Sequence, residues 1–347
     1  MSTGTRGKAT SRDVAKLAGV AQSTVSYYMN GSRPVSNDAR ARIERAMATL
    51  DYHPNSSART LRTQRTNLIT LIERLDYSSD ASDVAPYLTS IIEEAYRQGY
   101  DVILNTTKAD PDSLRRMDGR NICDGFILMD IKQHDERIPV AAQIGLPTVV
   151  FGKTDDDHGL DVIYFDYESA GVVIADYLAG FGHGAVLFLD EEPSETSEYI
   201  LFPSMYATLR ERCAGHGMSF DVMAFDRDHV QSAMDAVCEH IPDRLAVITR
   251  QPRATKDCMD ALARRNLKPG RDLTLISICP DSKIDSFDVH PSNLSQRPRE
   301  ISMQAVHMLI DRIEHPNRPQ QVVAVRSDHV TTRDTTVDFR GANAPAV

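Results

Sequence analysis

Residues 11–30 read SRDVAKLAGVAQSTVSYYMN, and they hold two short helical patterns on either side of one glycine. At helical spacing the first half carries an apolar face, formed by Val14, Ala15, Leu17 and Ala18. The second half carries another apolar face, formed by Val25 and Met29. Gly19 lies between the two and can adopt the positive φ that a tight turn between helices needs. The stretch therefore predicts a helix-turn-helix.

A third helical pattern follows this pair. Ser36 is a candidate N-cap, and apolar residues then recur at helical spacing, at Ala39, Ile43, Ala46, Met47 and Leu50. Three such helices bury a small core and leave one side of the middle helix exposed. That side presents short polar and phenolic groups, at Gln22, Ser23, Thr24, Ser26, Tyr27, Tyr28 and Asn30. Such groups suit hydrogen bonding in a major groove, although glycine-containing helix pairs also occur in ordinary helical bundles.

The order and spacing of residues 10–66 resemble the DNA-binding module of the LacI/GalR (lactose-repressor) family of bacterial transcription regulators. The matching residues are DVA at 13–15, AGV at 18–20, TVS at 24–26, Asn30, VS at 35–36, YHPN at 52–55, Ala58-Arg59 and Leu61. The resemblance implies a DNA-binding surface formed by Thr10, Gln22, Ser23, Thr24, Ser26, Tyr27, Asn30, Tyr52, Asn55, Ala58 and Leu61. It also implies that residues 56–66 form a hinge helix on DNA, where Leu61 wedges into the minor groove.

Tyr27 departs from this resemblance, because the family usually has an arginine at its position. A bidentate arginine contact to guanine is the commonest specific contact in the major groove, and a phenol cannot form that fork. Tyr27 is expected either to read a base through its hydroxyl or ring, or to contact a phosphate.

The charge distribution separates the two parts of the chain. Residues 1–65 hold eleven Lys and Arg against four Asp and Glu, a net charge of +7, while the remainder carries −17. A basic head on an acidic body confines phosphate attraction to the head, where counterion release drives binding. The charge pattern therefore favours a double-stranded DNA operator as the partner.

Length and composition indicate an ordinary globular protein of 347 residues in two or three domains. No apolar run approaches the roughly 20 residues that span a bilayer, and the polar N-terminus does not resemble a signal peptide. Five scattered cysteines never form a CxxC pair, which argues for a reducing cytoplasm and against a zinc site. The sequence thus predicts a cytoplasmic protein without a membrane partner, a metal or a cofactor.

From Asn67 onward, short apolar strands alternate with amphipathic helices. Strands are predicted at 68–72, 102–104, 125–129, 148–151, 162–165, 185–189, 245–249, 273–278 and 322–325. Helices are predicted at 87–98, 140–144, 169–181, 203–215, 229–240, 254–265 and 301–314. This alternation is typical of α/β folds with parallel sheets covered by helices on both faces. The resemblance implies the periplasmic-binding-protein type, in which two doubly wound lobes flank a ligand cleft.

The expected domain organisation follows from these patterns. Residues 1–10 are a disordered arm, 11–55 the helix-turn-helix domain, 56–66 the hinge and 67–345 a core for effector binding and dimerisation. Within the core, lobe one is expected at about 67–163 and 296–321. Lobe two is expected at about 164–292 and 322–340.

The resemblance places an effector, a sugar or sugar derivative above all, between the lobes. Candidate effector residues are Arg74, Asp166, Leu201, Arg250, Gln251, Cys279 and Arg297. Asp166 keeps the family's acidic residue, whereas Leu201, Gln251-Pro252 and the 277–280 stretch lack its usual Arg, Asn-Asp and Asp residues. Arginines at 74, 250, 253 and 297 leave open an anionic ligand. A cleft that no longer binds small molecules, or that answers to a protein, is the other alternative.

Enzymatic interpretations rest on weak patterns. His183 lies between two glycines, and Asp155-Asp-Asp-His158 resembles a metal cluster, but both are more typical of structural turns. The sequence contains no GxSxG, Walker A, HExxH or GxGxxG motif. We therefore expect a transcriptional regulator, most simply a repressor, that binds a palindrome as a homodimer. A metabolite-binding protein whose basic head has another purpose is the alternative outside this class.

Overall fold

The structure, a computed structural model, describes residues 9–30, 33–52, 65–74, 81–106, 110–190, 198–226 and 228–340. The chain divides into two compact units, Met1–Thr66 and Asn67–Val347. Each helix of the described residues is too short or too polar to cross a membrane. Residues 1–8 of the predicted arm and 56–64 of the predicted hinge lie outside the described residues, and Thr10, predicted to belong to the disordered arm, is instead the N-cap of the first helix.

The first unit contains three helices, α1 (Ser11–Ala18), α2 (Gln22–Asn30) and α3 (Asn37–Thr49). Thr10 caps α1, and Gly19 ends it at φ 64°, the left-handed conformation expected from the sequence. Ser36 caps α3 by accepting a hydrogen bond from the Ala39 amide. The predicted helix-turn-helix is therefore present, with α1 and α2 joined at Gly19.

A small apolar core holds the three helices together. Its buried members are Val14, Ala15, Ala18, Val25, Ile43 and Ala46. These residues come from all three helices, at the spacing that the sequence predicted. One expectation was wrong, because Leu17 is 52% exposed. The helix buries the 14–15–18 stripe, and Leu17 falls outside it.

Two parallel sheets form the second unit. The first contains β1 (Leu68–Ile72), β2 (Asp101–Asn105), β3 (Gly125–Leu128), β4 (Thr148–Phe151), β5 (Asp161–Phe165) and β11 (Val322–Val325), in the order β11-β5-β4-β3-β1-β2. The second contains β6 (Ala185–Asp190), β7 (Ser219–Ala224), β8 (Leu245–Arg250), β9 (Thr274–Ile278) and β10 (Ser292–Leu294), in the order β10-β9-β8-β6-β7. The central strands are buried along their whole length, as expected where helices cover both faces of a parallel sheet.

Nine helices accompany these strands in the described part of this unit. They are α4 (Ala81–Arg97), α5 (Pro111–Asp118), α6 (Arg137–Ile144), α7 (Tyr167–Gly180), α8 (Leu201–Gly215), α9 (Val230–His240), α10 (Pro252–Arg264), α11 (Asp281–Ile284) and α12 (Pro298–Glu314). Helix α12 packs so closely on β3 that a Cβ at Gly125 would lie 2.8 Å from the Leu309 side chain. Only glycine allows this approach.

The chain passes between the two lobes three times. It leaves the first sheet after β5, returns after β10 and leaves again after β11. Residues after β11 rejoin the second lobe, where Thr331 pairs with Asn293 and Thr335 bonds to Leu275. One hydrophobic core runs through both lobes and includes Phe165 and Phe188.

The expected lobe boundaries need one correction. Residues 322–325 and 164–165 were assigned to lobe two, but β11 pairs with β5 in the lobe-one sheet, Val322 opposite Val162. A parallel partner at the sheet edge satisfies the backbone groups of β5, and the sequence does not mark which lobe supplies that partner.

Several short elements were not predicted, namely α5, α11, β7 and β10. Strand β7 is an edge strand whose Ser219 and Asp221 are exposed, so its apolar signal is weak. Helix α5 buries only Ser113 and Leu114, and an Asp110 cap followed by Pro111 begins it. Helix α4 begins at Ala81, six residues before the predicted start, and contains Pro86 in its second turn.

Candidate nucleic-acid interface and ligand cleft

Helix α2 carries the polar face that the sequence predicted. Gln22 and Ser23 are exposed, and Thr24, Ser26 and Tyr27 are partly exposed. The Gln22 amide donates to the Ser11 hydroxyl at 3.2 Å, and its carbonyl accepts from Arg12 at 3.4 Å. These contacts hold Gln22 at the start of α2, against the neighbouring helix α1.

Thr10 and Tyr52 have structural roles in the first unit. The Thr10 amide and hydroxyl both donate to the Asp13 carboxylate, at 2.8 and 2.7 Å, and these bonds complete the capping box of α1. Tyr52 is half-buried against the small core, and its amide donates to the Met47 carbonyl. A DNA contact by either residue remains a prediction.

Tyr28 was expected on the polar face, but its hydroxyl donates to Glu44 of α3 at 2.7 Å. The Glu44 carboxylate also accepts from Arg40 at 3.0 Å. Tyr28 therefore ties α2 to α3 through Glu44. Asn30 is the last residue of α2 and its side chain is not described, and Asn55, Ala58 and Leu61 lie outside the described residues.

In the second unit, polar residues collect where the strands of lobe one end. We call this set the lobe-one wall; it consists of Glu73, Arg74, Asp130, Asp135 and Arg137. Arg74 follows β1 and pairs with Asp135 at 2.9 Å and Asp130 at 3.7 Å. Arg137 is 1% exposed and bonds to Asp135 at 2.6 Å and to the carbonyls of Met129 and Asp130. Arg137 thereby fixes the loop that carries Asp130.

Glu73 is the one carboxyl of this wall without a counter-charge in contact. Its side chain is buried, and its Oε2 atom has no hydrogen-bond partner among the residues that the structure describes. Burial, reinforced by the negative charge of Asp130, raises the pKa of Glu73 to about 8. Glu73 is therefore mostly protonated at neutral pH.

The strands of lobe two end in a second set, which we call the lobe-two wall. It consists of Asp190, Arg250, Phe202 and Tyr206. Asp190 accepts from Tyr206 at 2.7 Å and from Arg250 at 3.3 Å. The Arg250 guanidinium also lies over the Phe202 ring, 4.1 Å from its centroid, which is a cation–π distance. Within this wall, the Arg250 guanidinium thus contacts both a carboxylate and an aromatic ring.

Residues 198–199 contact both walls, and on the lobe-two side the ring of Tyr199 lies 5.6 Å from the ring of Phe202, centroid to centroid. The Gln133 amide donates to the Glu198 carbonyl at 2.7 Å, and Lys132 forms an ion pair with the Glu198 carboxylate. The Tyr199 hydroxyl donates to Asp130 at 2.5 Å. Burial, followed by the Asp130 charge, raises the pKa of Tyr199 above its ordinary value. The space between the strand ends is therefore bridged by the protein's own side chains.

The remaining candidate effector residues are placed less directly. The Asp166 carboxylate caps α7 through Ser169 and pairs with Arg326 at 2.8 Å. Leu201 begins α8 and is half-buried, and Gln251 immediately precedes α10 at φ 73°, a strained value for a non-glycine residue. Cys279 is buried after β9, and burial raises the pKa of its thiol to about 12. Effector contact by these residues stays a prediction.

The arginines proposed for an anionic ligand each have a carboxylate within 4 Å. The pairs are Arg74–Asp135, Arg250–Asp190, Arg253–Asp257 and Arg297–Glu300. Arg297 lines a groove of about 840 Å³ along α12 and not the cleft walls. These arginines therefore have less positive charge available for an anionic ligand than the sequence suggested.

The residues considered for catalysis or metal binding form turns. Asp156 and Asp157 accept from the amides of His158 and Gly159, both at 2.9 Å. His183 bonds to the Arg244 carbonyl at 2.9 Å and to the Thr274 hydroxyl at 3.0 Å, and burial lowers its pKa. Among the described residues, no three His, Cys, Asp or Glu side chains are arranged to hold a metal ion.

Comparison with known proteins agrees with the division of the chain into a helix-turn-helix unit and a two-lobe unit. Residues 10–55 match the family model of bacterial regulatory proteins of the lacI family, and residues 175–336 match that of the periplasmic binding protein-like domain. Over both of these regions the chain is similar to regulators of the LacI family. It is 29% identical over 259 residues to the HTH-type transcriptional regulator MalR of Staphylococcus xylosus, covering 69% of this chain and 72% of MalR. It is 23% identical over 324 residues to the HTH-type transcriptional repressor PurR of Histophilus somni, covering 91% and 96% of the two chains.

Solved structures share the fold of this chain. The Lac repressor dimer bound to operator and the anti-inducer ONPF superposes with a TM-score of 0.76 at 20% identity, covering 95% of this chain and all of that one. The regulator CelR in complex with cellobiose superposes with a TM-score of 0.65 at 20% identity, covering 94% and 100%. The two-lobe architecture implied by the resemblance is confirmed.

Sequence reasoning missed most residues of the two walls and the tyrosine that bridges them, namely Glu73, Asp130, Asp135, Arg137, Asp190, Phe202, Tyr206 and Tyr199. Asp130 and Asp190 follow or end buried apolar strands, in GFILMD and AVLFLD. Because ligands of open α/β sheets bind at strand carboxyl ends, this position was a usable signal. Tyr199 and Phe202 precede or begin a helix, and only the fold brings them to the cleft.

Proposed function

We propose that this protein is a transcriptional repressor of the LacI family that binds a palindromic operator as a homodimer and responds to a small molecule held between its lobes. The observation that carries the proposal is the helix-turn-helix, with a capped first helix, a buried core and the polar face of α2 open. A single module of this size contacts only a few base pairs, so two copies related by symmetry are needed for a specific site.

The test of DNA binding uses the full-length protein and genomic fragments. Fragments that the protein retains are sequenced, and the shared site is examined for two-fold symmetry. Binding of that site in a mobility-shift assay should weaken steeply with salt, because phosphate contacts release counterions. Retention without a shared site would contradict a sequence-specific repressor.

A surface on lobe one supports the homodimer. Ile92 and Tyr96, 46% and 76% exposed, are one helical turn apart on α4. Leu104, 42% exposed, lies on the neighbouring edge strand β2. Large apolar side chains that share one edge of a sheet are typical of a protein–protein interface. We infer that a second copy covers them.

Sedimentation tests this interface. Tyr96→Asp should convert a dimer at micromolar concentration into a monomer, because a charge cannot be buried unpaired at an interface. Val322→Asp is the matched control, since Val322 is 58% exposed on β11, the other edge of the same sheet. A dimer that survives Tyr96→Asp, or that Val322→Asp dissociates, would place the interface elsewhere.

The bridge formed by residues 198–199 favours a second possibility, a repressor whose cleft is closed by its own side chains. Tyr199 occupies a hydrogen-bonding position on Asp130 that a ligand hydroxyl would use. An effector must then compete with Tyr199. Titration of sugars into the repressor–operator complex separates the cases, since release or tightening by one sugar supports the effector, and indifference to all of them supports the closed cleft.

A further inference from the structure

Arg33 lies over the ring of Tyr27, and a second arginine of the first unit, Arg40, lies over the ring of Tyr28 at 5.9 Å. The guanidinium carbon of Arg33 is 5.1 Å from the centroid of the Tyr27 ring, within the range of a cation–π contact. Tyr27 is partly exposed on the polar face of α2, and Arg33 is exposed beyond the end of that helix. The ring therefore holds the guanidinium beside the face that is proposed to meet DNA.

Two other arginines of this unit, Arg40 and Arg42, are held by carboxylates. Arg40 lies 3.0 Å from Glu44, and Arg42 lies 3.2 Å from Asp38. Within residues 9–30 and 33–52, no carboxylate lies within 4 Å of the Arg33 guanidinium. An aromatic face leaves the N–H donors at the edge of the guanidinium plane free to bond, whereas a carboxylate would occupy two of them.

The chemistry of the pair supplies what Tyr27 lacks. A phenol offers one hydroxyl, which can donate to or accept from several bases and discriminates poorly. A guanidinium presents a planar fork of donors that matches the O6 and N7 acceptors of guanine. Stacking on a ring fixes the plane of that fork before DNA arrives, so less side-chain freedom is lost on binding.

We propose that Arg33, positioned by the ring of Tyr27, reads a guanine in each half-site. Arg33 is then the specificity-determining residue at that base pair, and Tyr27 is a positioning residue that acts through its ring. The inference rests on the proposed DNA-binding function and adds to it the residue and the base that one position of the operator requires.

The experiment selects binding sites from a randomised operator library with full-length protein. Arg33→Ala should lose the guanine preference at one base pair per half-site and bind the wild-type consensus about 10- to 100-fold more weakly, the range expected for one bidentate contact. Arg33→Lys keeps the charge without the fork, so it should keep its affinity for random DNA and lose most of the preference.

Variants of Tyr27 separate the ring from the hydroxyl. Tyr27→Phe keeps the ring and should select the wild-type consensus. Tyr27→Ala leaves Arg33 unsupported and should weaken the preference at the same base pair only. Arg45→Ala is the charge-matched control, because Arg45 is an exposed arginine of α3 that bonds to the Ala41 carbonyl, and it should leave the consensus unchanged.

Three outcomes would overturn the inference. Arg33→Ala with an unchanged consensus, uniformly weaker binding and a salt slope smaller by about one would make Arg33 a phosphate contact. A changed consensus for Tyr27→Phe would assign the reading to the hydroxyl. Wild-type protein that binds DNA and selects no consensus would remove the proposed function and the inference together, whereas the first two outcomes remove the inference alone.

Discussion

The two walls of the cleft balance their charges differently. On the lobe-one wall, the carboxyl groups of Glu73, Asp130 and Asp135 face the guanidiniums of Arg74 and Arg137. On the lobe-two wall, Asp190 faces Arg250, and an aromatic ring covers the guanidinium. Among the described residues, the lobe-one wall therefore holds three carboxyl groups and two guanidiniums, whereas the lobe-two wall holds one of each. A ligand that enters the cleft therefore meets more charged groups on the lobe-one wall than on the lobe-two wall.

The largest expected effect comes from breaking the buried pair that supports the lobe-one wall. Asp135→Asn leaves Arg137 charged, 1% exposed and unpaired, so the free energy of unfolding should fall by about 3–5 kcal/mol. Asp190→Asn is the comparison on the other wall, and it should cost about 1–3 kcal/mol, because Arg250 keeps its contact with Phe202. If urea denaturation shows the same loss in the free energy of unfolding for both variants, the two walls do not differ in this respect.

The pH dependence of the stability of Glu73→Gln tests whether Glu73 is protonated in the folded chain. The pKa of Glu73 is raised from 4.5 to about 8 in the folded chain, so folding favours its protonated form. That contribution is complete below pH 4.5 and is lost as the pH rises towards 8. Relative to wild type, Glu73→Gln should gain stability between pH 5 and 8, on the order of 2–4 kcal/mol in total.

Other titrating groups cancel when the variant is compared with wild type at each pH. A difference in unfolding free energy that stays constant from pH 5 to 8 would show that Glu73 is ionised throughout.

Tyr199→Phe addresses the bridge between the walls. Loss of the bond to Asp130 should reduce stability by about 1–2 kcal/mol and loosen residues 198–199. Hydrogen exchange at the Gln133 amide, which donates to the Glu198 carbonyl, reports this loosening. Tyr206→Phe removes a bond of similar length within lobe two, and it should leave exchange at Gln133 unchanged. The same acceleration in both variants would mean that the bridge has no separate role.

The smallest effect is expected at Arg253, which the sequence had grouped with the cleft arginines. Its side chain is 56% exposed and lies 3.9 Å from Asp257 on the outside of α10. Arg253→Ala should change the free energy of unfolding by less than about 0.5 kcal/mol. A larger loss would add this residue to the lobe-two wall.

Local features of the fold were predictable, and contacts between distant segments were not. The Thr10 cap, the turn at Gly19 and the buried stripe of Val14, Ala15 and Ala18 depend on neighbours within a few residues. The bond between Tyr199 and Asp130 joins residues 69 positions apart, and nothing in either local sequence selects the other. Strand β11 was recognised as a strand, yet its sheet was wrong for the same reason.

The cleft residues show the same limit. Arg74 and Arg250 were identified as candidates because arginines after strands suit ligand binding, and the structure does place both at strand ends. Their carboxylate partners come from distant segments of the chain, so the charge left for a ligand was overestimated. Burial, which raises the pKa of Glu73, is likewise a property of the folded chain that composition does not carry.

The position of β11 also bears on the order in which a growing chain acquires structure. All strands of the lobe-two sheet lie within residues 185–294, whereas the lobe-one sheet takes its edge strand from residues 322–325. During synthesis from the N-terminus, the ribosome therefore releases all five strands named in the second sheet before the edge strand of the first, while residues 331–335, which bond to β9 and β10, emerge last. A ribosome stalled between residues 294 and 322 would hold a chain in which β5 has an unpaired edge and the second lobe lacks its last segment.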